Sequence, residues 1–399
     1  MRVLMLSHMY PSPVNPTAGI FVHEQVLALA RRGHDVRVVS PVGIAPPLLP
    51  RYRAHRRVPR LDFVQDVPVL HPRKLTLPRA LLAHRNADAM LAAVRGPLRR
   101  VHRRWPFDVI HAQMLVPDGW AAARVGADLG VPVLATVHRA DVLDVPARGD
   151  GSRRRVAEAI TGVGQIASVS EAIRVATEAI ATPRRPIAVV PNGADHRVFR
   201  PRDAREVAAI RAELGVPAEG PVISYVGKLV PRKGVDDLIE AMGRLLRTGD
   251  GATLVIAGMG AERAGLERRA AELGIADRVR FVGKVPHDTV PLVMSAGDLF
   301  VLPSLSEGLP TVVCEAMACG LPVVATAVDG TPEIVRDGET GFLVPPRDPA
   351  ALADALGRLV EDPALARAMG RRAHEIAMDT YTWDANAERT EALYEEICA

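Results

Sequence analysis

Short runs of Val, Leu and Ile alternate with helix-length segments along almost the whole chain, and this alternation limits the fold more than any other feature. Residues 2–7 form the first run, a loop rich in Pro and Gly follows, and residues 20–32 are predicted to form a helix that ends at Gly33. Residues 35–40 (DVRVVS) are predicted to form the next strand. Continuous apolar strands joined by helices are typical of parallel sheets that are covered on both faces.

The cycle runs twice, which predicts two Rossmann-like α/β domains, each with a doubly wound parallel sheet. Further strands are expected at 107–112, 131–137, 166–170 and 187–190 and, after a polar stretch, at 222–226, 253–257, 279–281, 299–302, 323–325 and 341–344. The chain is therefore predicted to contain a first domain (1–200), a linker (201–220), a second domain (221–377) and a C-terminal helix (378–399). Open parallel sheets bind ligands at the carboxyl ends of their strands, so we expect a site in a cleft that the two domains face.

Composition and motifs argue against several classes of protein. The three cysteines lack the spacing of a metal site or of a disulfide set, and no apolar run is long enough for a membrane span or a signal-peptide core. The chain is therefore expected to be cytoplasmic. A dinucleotide-dependent oxidoreductase is disfavoured because no G-x-G-x-x-G motif follows the first strand, where LSHMYPSPVNPTAG stands.

The stretch SEGLPTVVCEAMACG (306–320) contains two glutamates eight positions apart. It begins in a loop at the carboxyl end of a predicted strand, and Pro310 favours the first turn of a helix. The free amides expected at this turn form an anion site, and they belong to Gly308, Leu309, Thr311 and Val312. Glu307 and Glu315 can accept hydrogen bonds from hydroxyls. The set fits a nucleotide sugar, although each glutamate taken alone is more typical of a surface charge.

A second stretch, SYVGKLVPRKG (224–234), places two cations near the start of a helix. A predicted strand ends at Val226, and Gly227 allows the backbone to approach a ligand closely. Lys228 and Lys233 flank the loop that follows, where their ammonium groups suit a diphosphate. A pair of lysines on its own is more typical of a solvated loop.

A third stretch, ATVHRADV (135–142), places His138 at the end of a buried strand. From the residues alone, a role in the core or at a helix cap is as well supported as a role in a site.

Taken together, these stretches resemble the family 4 retaining glycosyltransferases of the GT-B fold, the glycosyl transferases group 1. GKLVPRKG, SEGLPTVVCEAMACG and PVVATAVDGTPEIVRDGETGFLVPPRD are similar to the donor domain of that family, and the first half contributes TAGIFVHEQVLALARRGHDV, VSEAI and PNGAD. The resemblance covers nearly the whole chain, and it implies that the C-terminal helix (378–399) packs back on the first domain. It implies transfer of a sugar from a nucleotide-diphosphate sugar, most often of UDP or GDP, to a hydroxyl acceptor in glycan, glycolipid or polysaccharide synthesis.

The resemblance also implies roles for individual residues in the second half. Lys228 and Lys233, after Gly227, would contact the diphosphate of the donor, and Glu315 would hold its ribose. Val285, in the loop that follows a predicted strand, would meet the base. The transferred sugar would be held by Glu307 together with the turn of Gly308, Leu309 and Thr311.

Two residues of the first half are implied as well. Gly19 would lie under the diphosphate, where the family has a Gly-Gly pair and this chain has Ala18-Gly19. His138 would lie near the transferred sugar and orient one of its hydroxyls. Together with Lys233 and Glu307, His138 is predicted to be catalytic.

The implied mechanism needs no bound metal. Negative charge grows on the β-phosphate as the glycosidic bond breaks, and Lys228, Lys233 and the helix N-terminus would stabilise it. The departing phosphate would take the proton of the acceptor. A nucleotide-sugar 2-epimerase of the same architecture and an inactive sugar-nucleotide-binding protein are the alternatives.

The segment 51–104 is strongly basic, with 13 Arg and one Lys against three Asp, although the whole chain has a net charge of only +4. Three interpretations stay open: a solvated helix surface, binding of an anionic acceptor, or contact with anionic lipid headgroups. In the last case the protein would lie at the inner face of a membrane, helped by Leu75, Leu77, Leu81 and Leu82. Nucleic acid is not expected as a partner, because the segment has few aromatic residues to stack on bases.

Overall fold

A computed structural model describes residues 1–44, 54–76, 85–247, 249 and 251–399 of the chain. These residues divide into two compact units. The first unit contains Met1–Pro191 and Trp383–Ala399, and the second contains Asn192–Thr382. Each unit is built on a largely parallel sheet with helical connections, which confirms the predicted α/β class.

In the described part of the first unit, eight strands form one sheet in the order β10-β9-β8-β7-β1-β2-β5-β4, and β3 pairs with β6 separately. The strands are β1 (Arg2–Leu6), β2 (Asp35–Val39), β3 (Val42–Ile44), β4 (Leu61–Val64), β5 (Val67–Leu70), β6 (Arg73–Leu75), β7 (Val109–Ala112), β8 (Val133–Val137), β9 (Gln165–Ser168) and β10 (Ala188–Val189). The helices are α1 (Ile20–Arg31), α2 (Asn86–Arg104), α3 (Trp120–Leu129), α4 (Asp150–Gly162) and α5 (Glu171–Glu178). Strand β2 is added on one side of β1 and β7 on the other, so the strand order reverses between β1 and β7, which remain parallel.

The prediction of a wholly parallel sheet is wrong at β4, which pairs antiparallel with β5. The two residues between these strands, Gln65 and Asp66, both have positive φ angles of 46° and 67°. A two-residue turn of this kind joins neighbouring antiparallel strands directly, whereas parallel strands need a longer crossover. The strands β3 to β6 were not predicted.

The second unit contains a six-stranded parallel sheet in the order β13-β12-β11-β14-β15-β16 within its described residues. The strands are β11 (Val222–Val226), β12 (Thr253–Ala257), β13 (Val279–Gly283), β14 (Leu299–Leu302), β15 (Val323–Thr326) and β16 (Gly341–Val344). The helices are α6 (Ala204–Leu214), α7 (Val235–Leu245), α8 (Arg263–Glu272), α9 (Val290–Ser295), α10 (Thr311–Ala318), α11 (Thr331–Ile334), α12 (Pro349–Glu361) and α13 (Pro363–Thr380). The reversal point of this sheet lies between β11 and β14.

The segment 201–220, predicted to be a linker, instead contains helix α6 and belongs to the second unit. Asp203 caps this helix by accepting hydrogen bonds from the N–H groups of Arg205 and Glu206. The Glu206 carboxylate accepts in return from the Asp203 N–H at 3.1 Å. The pattern Asp-x-x-Glu is a capping box, so the sequence did contain the evidence for a helix here.

The last helix, α14 (Trp383–Cys398), belongs to the first unit, and α13 before it continues past residue 377 to Thr380. Trp383, Ala387 and Tyr394 of α14 lie in the same apolar core as residues of β1 and α1. Polar contacts add to this packing: Gln25 donates to Asn386 at 2.7 Å, and Arg31 pairs with Asp384 at 3.0 Å. Among the described residues, no helix has the length and apolar character needed to cross a membrane.

Candidate functional site

The sheet order of the second unit brings together two loops that are far apart in sequence. One loop follows β11 and contains Lys228 and Lys233, and the other follows β14 and contains Glu307. Because β11 and β14 are neighbours and are connected to helices in opposite directions, their carboxyl ends open a crevice between the two loops. The residues predicted to bind the diphosphate therefore lie on one side of this crevice, and the residue predicted to bind the sugar lies on the other.

The Lys233 ammonium is paired directly with the Glu307 carboxylate. Their side chains are only 14% and 9% exposed, so the pair is largely removed from water. The Ser304 hydroxyl donates to the same carboxylate oxygen, Oε1, at 2.6 Å. The sequence predicted a role for each of the two charged residues but not their mutual contact, which means that a bound anion would compete with Glu307 for Lys233.

Two further residues support this pair, and neither was predicted from the sequence. The Asp329 carboxylate accepts from the Glu307 N–H at 2.7 Å and from the Ser306 hydroxyl at 2.6 Å. Asp329 follows β15 and has a positive φ of 44° in an Asp-Gly turn, which is the one local sign of its special position. On the other side, Arg232 donates to the Ser306 carbonyl at 2.6 Å and lies 3.6 Å from Glu307 Oε2.

The loop after β11 is fixed by backbone contacts. The Gly227 N–H donates to the Ala257 carbonyl at 3.0 Å, and the Tyr225 hydroxyl donates to the Lys228 carbonyl at 3.2 Å. Gly234 ends the loop with a φ of +60°, and a Cβ atom there would lie 2.1 Å from the Pro303 carbonyl oxygen. The two loops are thus in backbone contact at Gly234, whereas the Lys228 side chain is exposed to solvent.

Helix α10 begins at Thr311, and Pro310 is its N-cap residue rather than a residue of its first turn. The Val313 N–H donates to the Pro310 carbonyl at 2.8 Å, so the amides of Thr311 and Val312 precede the first intrahelical bond. Gly308 and Leu309 lie just before this end of the helix. Glu315 is half-buried in the next turn of the helix.

Val285 lies two residues beyond β13, at the carboxyl edge of the same sheet. Its side chain is partly buried and, like those of Val226 and Val282, packs against an apolar cluster that contains Val222 and Val255. It therefore offers an apolar surface close to the strand end that precedes Gly227.

In the first unit, Gly19 precedes α1 with a φ of +62°. A Cβ atom at this position would lie 2.3 Å from the Met9 carbonyl oxygen, so only glycine fits without a shift of the backbone. Ser7, directly after β1, holds the same carbonyl by donating to it at 2.6 Å. The start of α1 is thereby fixed against the loop that follows β1.

His138 directly follows β8 and is half-buried, with its ring 4.9 Å from the ring of Phe21. Its Nε2 atom has no hydrogen-bond partner among the described groups. Burial lowers the pKa of His138 to about 4, so the ring is neutral at pH 7. The backbone N–H of His138 donates to the Asp141 carboxylate at 3.1 Å, and burial raises the pKa of this carboxyl to about 7.

A second histidine of the first unit was not selected from the sequence. His8, just after β1, contacts the buried Asp118 through its Nδ1 atom at 2.9 Å. The two residues follow neighbouring strands, β1 and β7, at the point where the sheet reverses direction. The sequence signal was weak, because a single His in a Pro-rich loop has no recognisable spacing to Asp118.

The basic segment 51–104 is divided among several elements of the first unit. Its described part contains β4, β5, β6 and α2, so the interpretation as a solvated helix surface applies to α2 alone. Leu75 is 55% exposed, whereas Leu77, Leu81 and Leu82 lie outside the described residues. In the described ranges, no group of three or more His, Cys, Asp or Glu residues is arranged to hold a metal ion.

Comparison with known proteins gives matches over both halves. Residues 18–198 match the family described as glycosyltransferase family 4, and residues 206–376 match glycosyl transferases group 1. Glycogen synthase of Mycobacterium tuberculosis is 32% identical over 99% of this chain and 94% of its own. D-inositol 3-phosphate glycosyltransferase of Corynebacterium efficiens is 31% identical over 99% of this chain and 95% of its own length. Among solved structures, sucrose-phosphate synthase of Thermosynechococcus elongatus has a TM-score of 0.79 at 26% identity and covers 99% of both chains.

Proposed function

Because this chain belongs to glycosyltransferase family 4 and is a glycosyltransferase of the GT-B fold, we propose that it moves a sugar from a nucleotide-diphosphate sugar to a hydroxyl acceptor with retention of anomeric configuration. UDP and GDP sugars are the first candidates for the donor. The relatives give no support to a nucleotide-sugar 2-epimerase.

The observation that most supports the proposal is the pair of Lys233 and Glu307 beside the start of α10. A diphosphate that enters the crevice offers Lys233 a stronger anionic partner than one carboxylate does. Glu307, released from Lys233 but still bonded to Ser304, then accepts hydrogen bonds from sugar hydroxyls. Separation of this one ion pair thus makes Lys233 available to the diphosphate and Glu307 available to the sugar.

The same groups account for the proposed rate enhancement. Negative charge develops on the β-phosphate as the bond to the sugar breaks, and the Lys233 ammonium and the amides of α10 stabilise that charge more in the transition state than in the ground state. Lys228 adds a second cation. In the proposed reaction the phosphate oxygen that leaves takes the acceptor proton, and no bound metal is required.

We assign the remaining predicted residues within this proposal. Glu315 accepts hydrogen bonds from the ribose, and Val285 packs against the base. Gly19 gives the diphosphate access to the backbone at the start of α1. His138, neutral at pH 7, orients a hydroxyl of the transferred sugar through its unpartnered Nε2.

The acceptor is proposed to be a hydroxyl of a glycan or of a lipid-linked glycan. Leu61 and Phe63 lie on one face of β4 and are 57% and 61% exposed, next to the exposed Arg60. Apolar side chains beside cations are typical of contact with an anionic membrane surface. We propose such a contact for the β4 face, and Leu61→Ser/Phe63→Ser should reduce flotation with phosphatidylglycerol vesicles but leave turnover of a water-soluble acceptor unchanged.

Thermal unfolding with a panel of UDP, GDP, ADP and dTDP sugars tests the donor proposal. A sugar nucleotide present at 100 times its Kd stabilises the folded protein by about 2.7 kcal/mol. We expect one nucleotide to stand out, and the stabilisation to be lost in Lys233→Ala. Absence of stabilisation by every nucleotide sugar at millimolar concentration would overturn the proposal, and NMR of the product formed from the selected donor tests retention.

A further inference from the structure

The first unit contains a cavity of about 590 Å³ that includes none of the residues proposed for the donor. It lies between α2 and the strands β2 and β5. Its size falls in the range of roughly 300–1,000 Å³ that is usual for sites of small molecules. The lining is strongly basic, with Arg37, Arg60, His71, Arg73, Arg100 and Arg104.

Three of these guanidinium groups are available to a ligand. Arg37 lies over the Trp105 ring and 4.0 Å from Asp35, and Arg73 donates to the carbonyls of His55 and Val58. Arg60, Arg100 and Arg104 are exposed and form no ion pair within the described ranges. The sequence segments 45–53 and 77–84 contain no Asp or Glu.

Two groups among the lining residues are hydrogen-bond acceptors that lack their usual partner. His71 is 1% exposed, and its Nδ1 contacts the Ser40 carbonyl at 2.8 Å, which requires the proton to be on Nδ1. Its Nε2 has no partner in the described part of the chain. Burial lowers the pKa of His71, so at neutral pH this Nε2 is an unprotonated acceptor.

The second acceptor results from a proline inside α2. Pro97 has no N–H, so the carbonyl of Ala93, four residues earlier, loses its intrahelical donor. Both Ala93 and Pro97 line the cavity. A carbonyl without its helical partner is available to a hydroxyl of a ligand.

We propose that this cavity binds a compact phosphate ester that also carries hydroxyl groups. Arg60, Arg100 and Arg104 hold the phosphate by charge-assisted hydrogen bonds, and His71 Nε2 and the Ala93 carbonyl accept from the hydroxyls. The ester is either a free metabolite or the headgroup of a phospholipid, since both present the same chemistry. The inference does not depend on the identity of the donor or on catalysis.

The test uses the full chain with ¹³C-labelled histidine and follows the His71 ring signal by NMR, assigned with His71→Asn. Glucose 6-phosphate is the soluble probe, with glucose as the control that lacks phosphate. We expect a saturable shift of His71 with glucose 6-phosphate and none with glucose. Arg100→Gln/Arg104→Gln should weaken this binding by about tenfold or more, because two charge-assisted hydrogen bonds are lost.

The matched control is Arg57→Gln/Arg103→Gln, which removes two exposed charges of the same segment that do not line the cavity. It should leave the His71 shift unchanged, and so should Lys233→Ala, which affects only the proposed donor site. Vesicles of phosphatidylglycerol in phosphatidylcholine form the second arm. A shift that requires Arg100 and Arg104 but appears only with these vesicles identifies a lipid headgroup as the source of the phosphate. A His71 signal that responds to no probe, or that responds equally in Arg100→Gln/Arg104→Gln, overturns the proposal.

Discussion

Lys233 and Glu307 form an ion pair across 74 positions of sequence, each at the end of a loop that follows a different strand of the same sheet. The pair exists because β11 and β14 are adjacent where the order of the sheet reverses. Ser304 and Lys233 contact the Glu307 carboxylate. The backbone N–H of Glu307 is in turn fixed by donating to the Asp329 carboxylate. A carboxylate held so firmly is a fixed acceptor rather than a mobile surface charge.

Lys233→Ala is expected to reduce kcat by about 10²- to 10³-fold, by analogy with the loss of one donor from an oxyanion site. It should also lower the free energy of unfolding by about 1–3 kcal/mol, because Glu307 stays largely buried without its cation. The double variant Lys233→Met/Glu307→Gln removes both charges and should recover most of that stability but none of the activity. Steady-state kinetics and urea unfolding separate the two effects, and recovery of activity in the double variant would contradict the role of Lys233.

Asp329→Asn is expected to lower kcat/KM by about tenfold, because charge-assisted hydrogen bonds to the Glu307 N–H and the Ser306 hydroxyl are weakened. Asn tolerates the positive φ of this position, so the backbone should be preserved. The matched control is Asp337→Asn, since Asp337 also accepts from a backbone N–H, that of Leu343 at 2.9 Å. Equal losses of activity in the two variants would show that Asp329 has no special effect on Glu307.

Gly19→Ala is expected to destabilise the first unit by about 1–3 kcal/mol through strain at a φ of +62° and the clash with the Met9 carbonyl. Gly130→Ala is the control, because Gly130 has a similar φ of +68° but an added Cβ would meet nothing within 4 Å. The difference between the two variants in thermal unfolding measures the clash alone. Similar destabilisation in both would mean that the loop after β1 moves freely.

His111 should make stability depend on pH below neutrality. This side chain is fully buried between Tyr394 and Thr136, and burial lowers its pKa to about 3. The unfolded chain binds a proton near pH 6.5 and the folded chain does not, so the stabilisation present above pH 6.5 is lost as the pH falls toward 3, by about 1.4 kcal/mol per pH unit.

His111→Gln should remove this contribution. Between pH 6.5 and 4, the unfolding free energy of the variant should therefore change less steeply with pH than that of the parent chain. The difference in slope corresponds to about one proton bound on unfolding. The contribution of His138 to folding stability depends on pH in the same direction. Asp141 has a pKa raised to about 7, so its contribution depends on pH in the opposite direction and is lost as the pH rises from 4 to 7. Denaturant titrations at several pH values measure the slope. Parallel profiles of the variant and the parent would refute the assignment to His111.

Turnover with the selected donor is expected to be insensitive to EDTA, because the proposed mechanism neutralises the diphosphate with Lys228, Lys233 and the amides of α10. Dialysis against chelator followed by assay measures this directly. Loss of activity that Mg²⁺ or Mn²⁺ restores would contradict the proposed role of the cations.

Much of the fold follows from local patterns in the sequence. The strands β1, β12 and β14 are almost wholly apolar, and their burial on both faces makes them easy to recognise. The hairpin of β4 and β5 was missed because each strand is only four residues long and the segment around them is dominated by basic residues. Helix α6 was missed because its capping box was not recognised in a charged, proline-containing stretch.

The candidate site could be predicted only in part, for a related reason. Lys233 and Glu307 stand in recognisable local motifs, but their contact depends on the order of strands, which no local pattern contains. Asp329 and Arg232 act on Glu307 or its loop from other positions of the chain, and His8 meets Asp118 across 110 positions. Such residues become visible only when the sheet topology is known.

The return of α14 to the first unit has a consequence for how the chain matures on the ribosome. Residues 192–382 form an uninterrupted stretch and can fold as soon as they emerge. The core around Val26 and Met5, by contrast, is completed by Trp383 and Tyr394, which are translated only after the whole second unit. The first unit therefore begins to be translated before the second unit but completes its core after it. A nascent chain released before residue 383 would leave the apolar core around β1 and α1 uncovered.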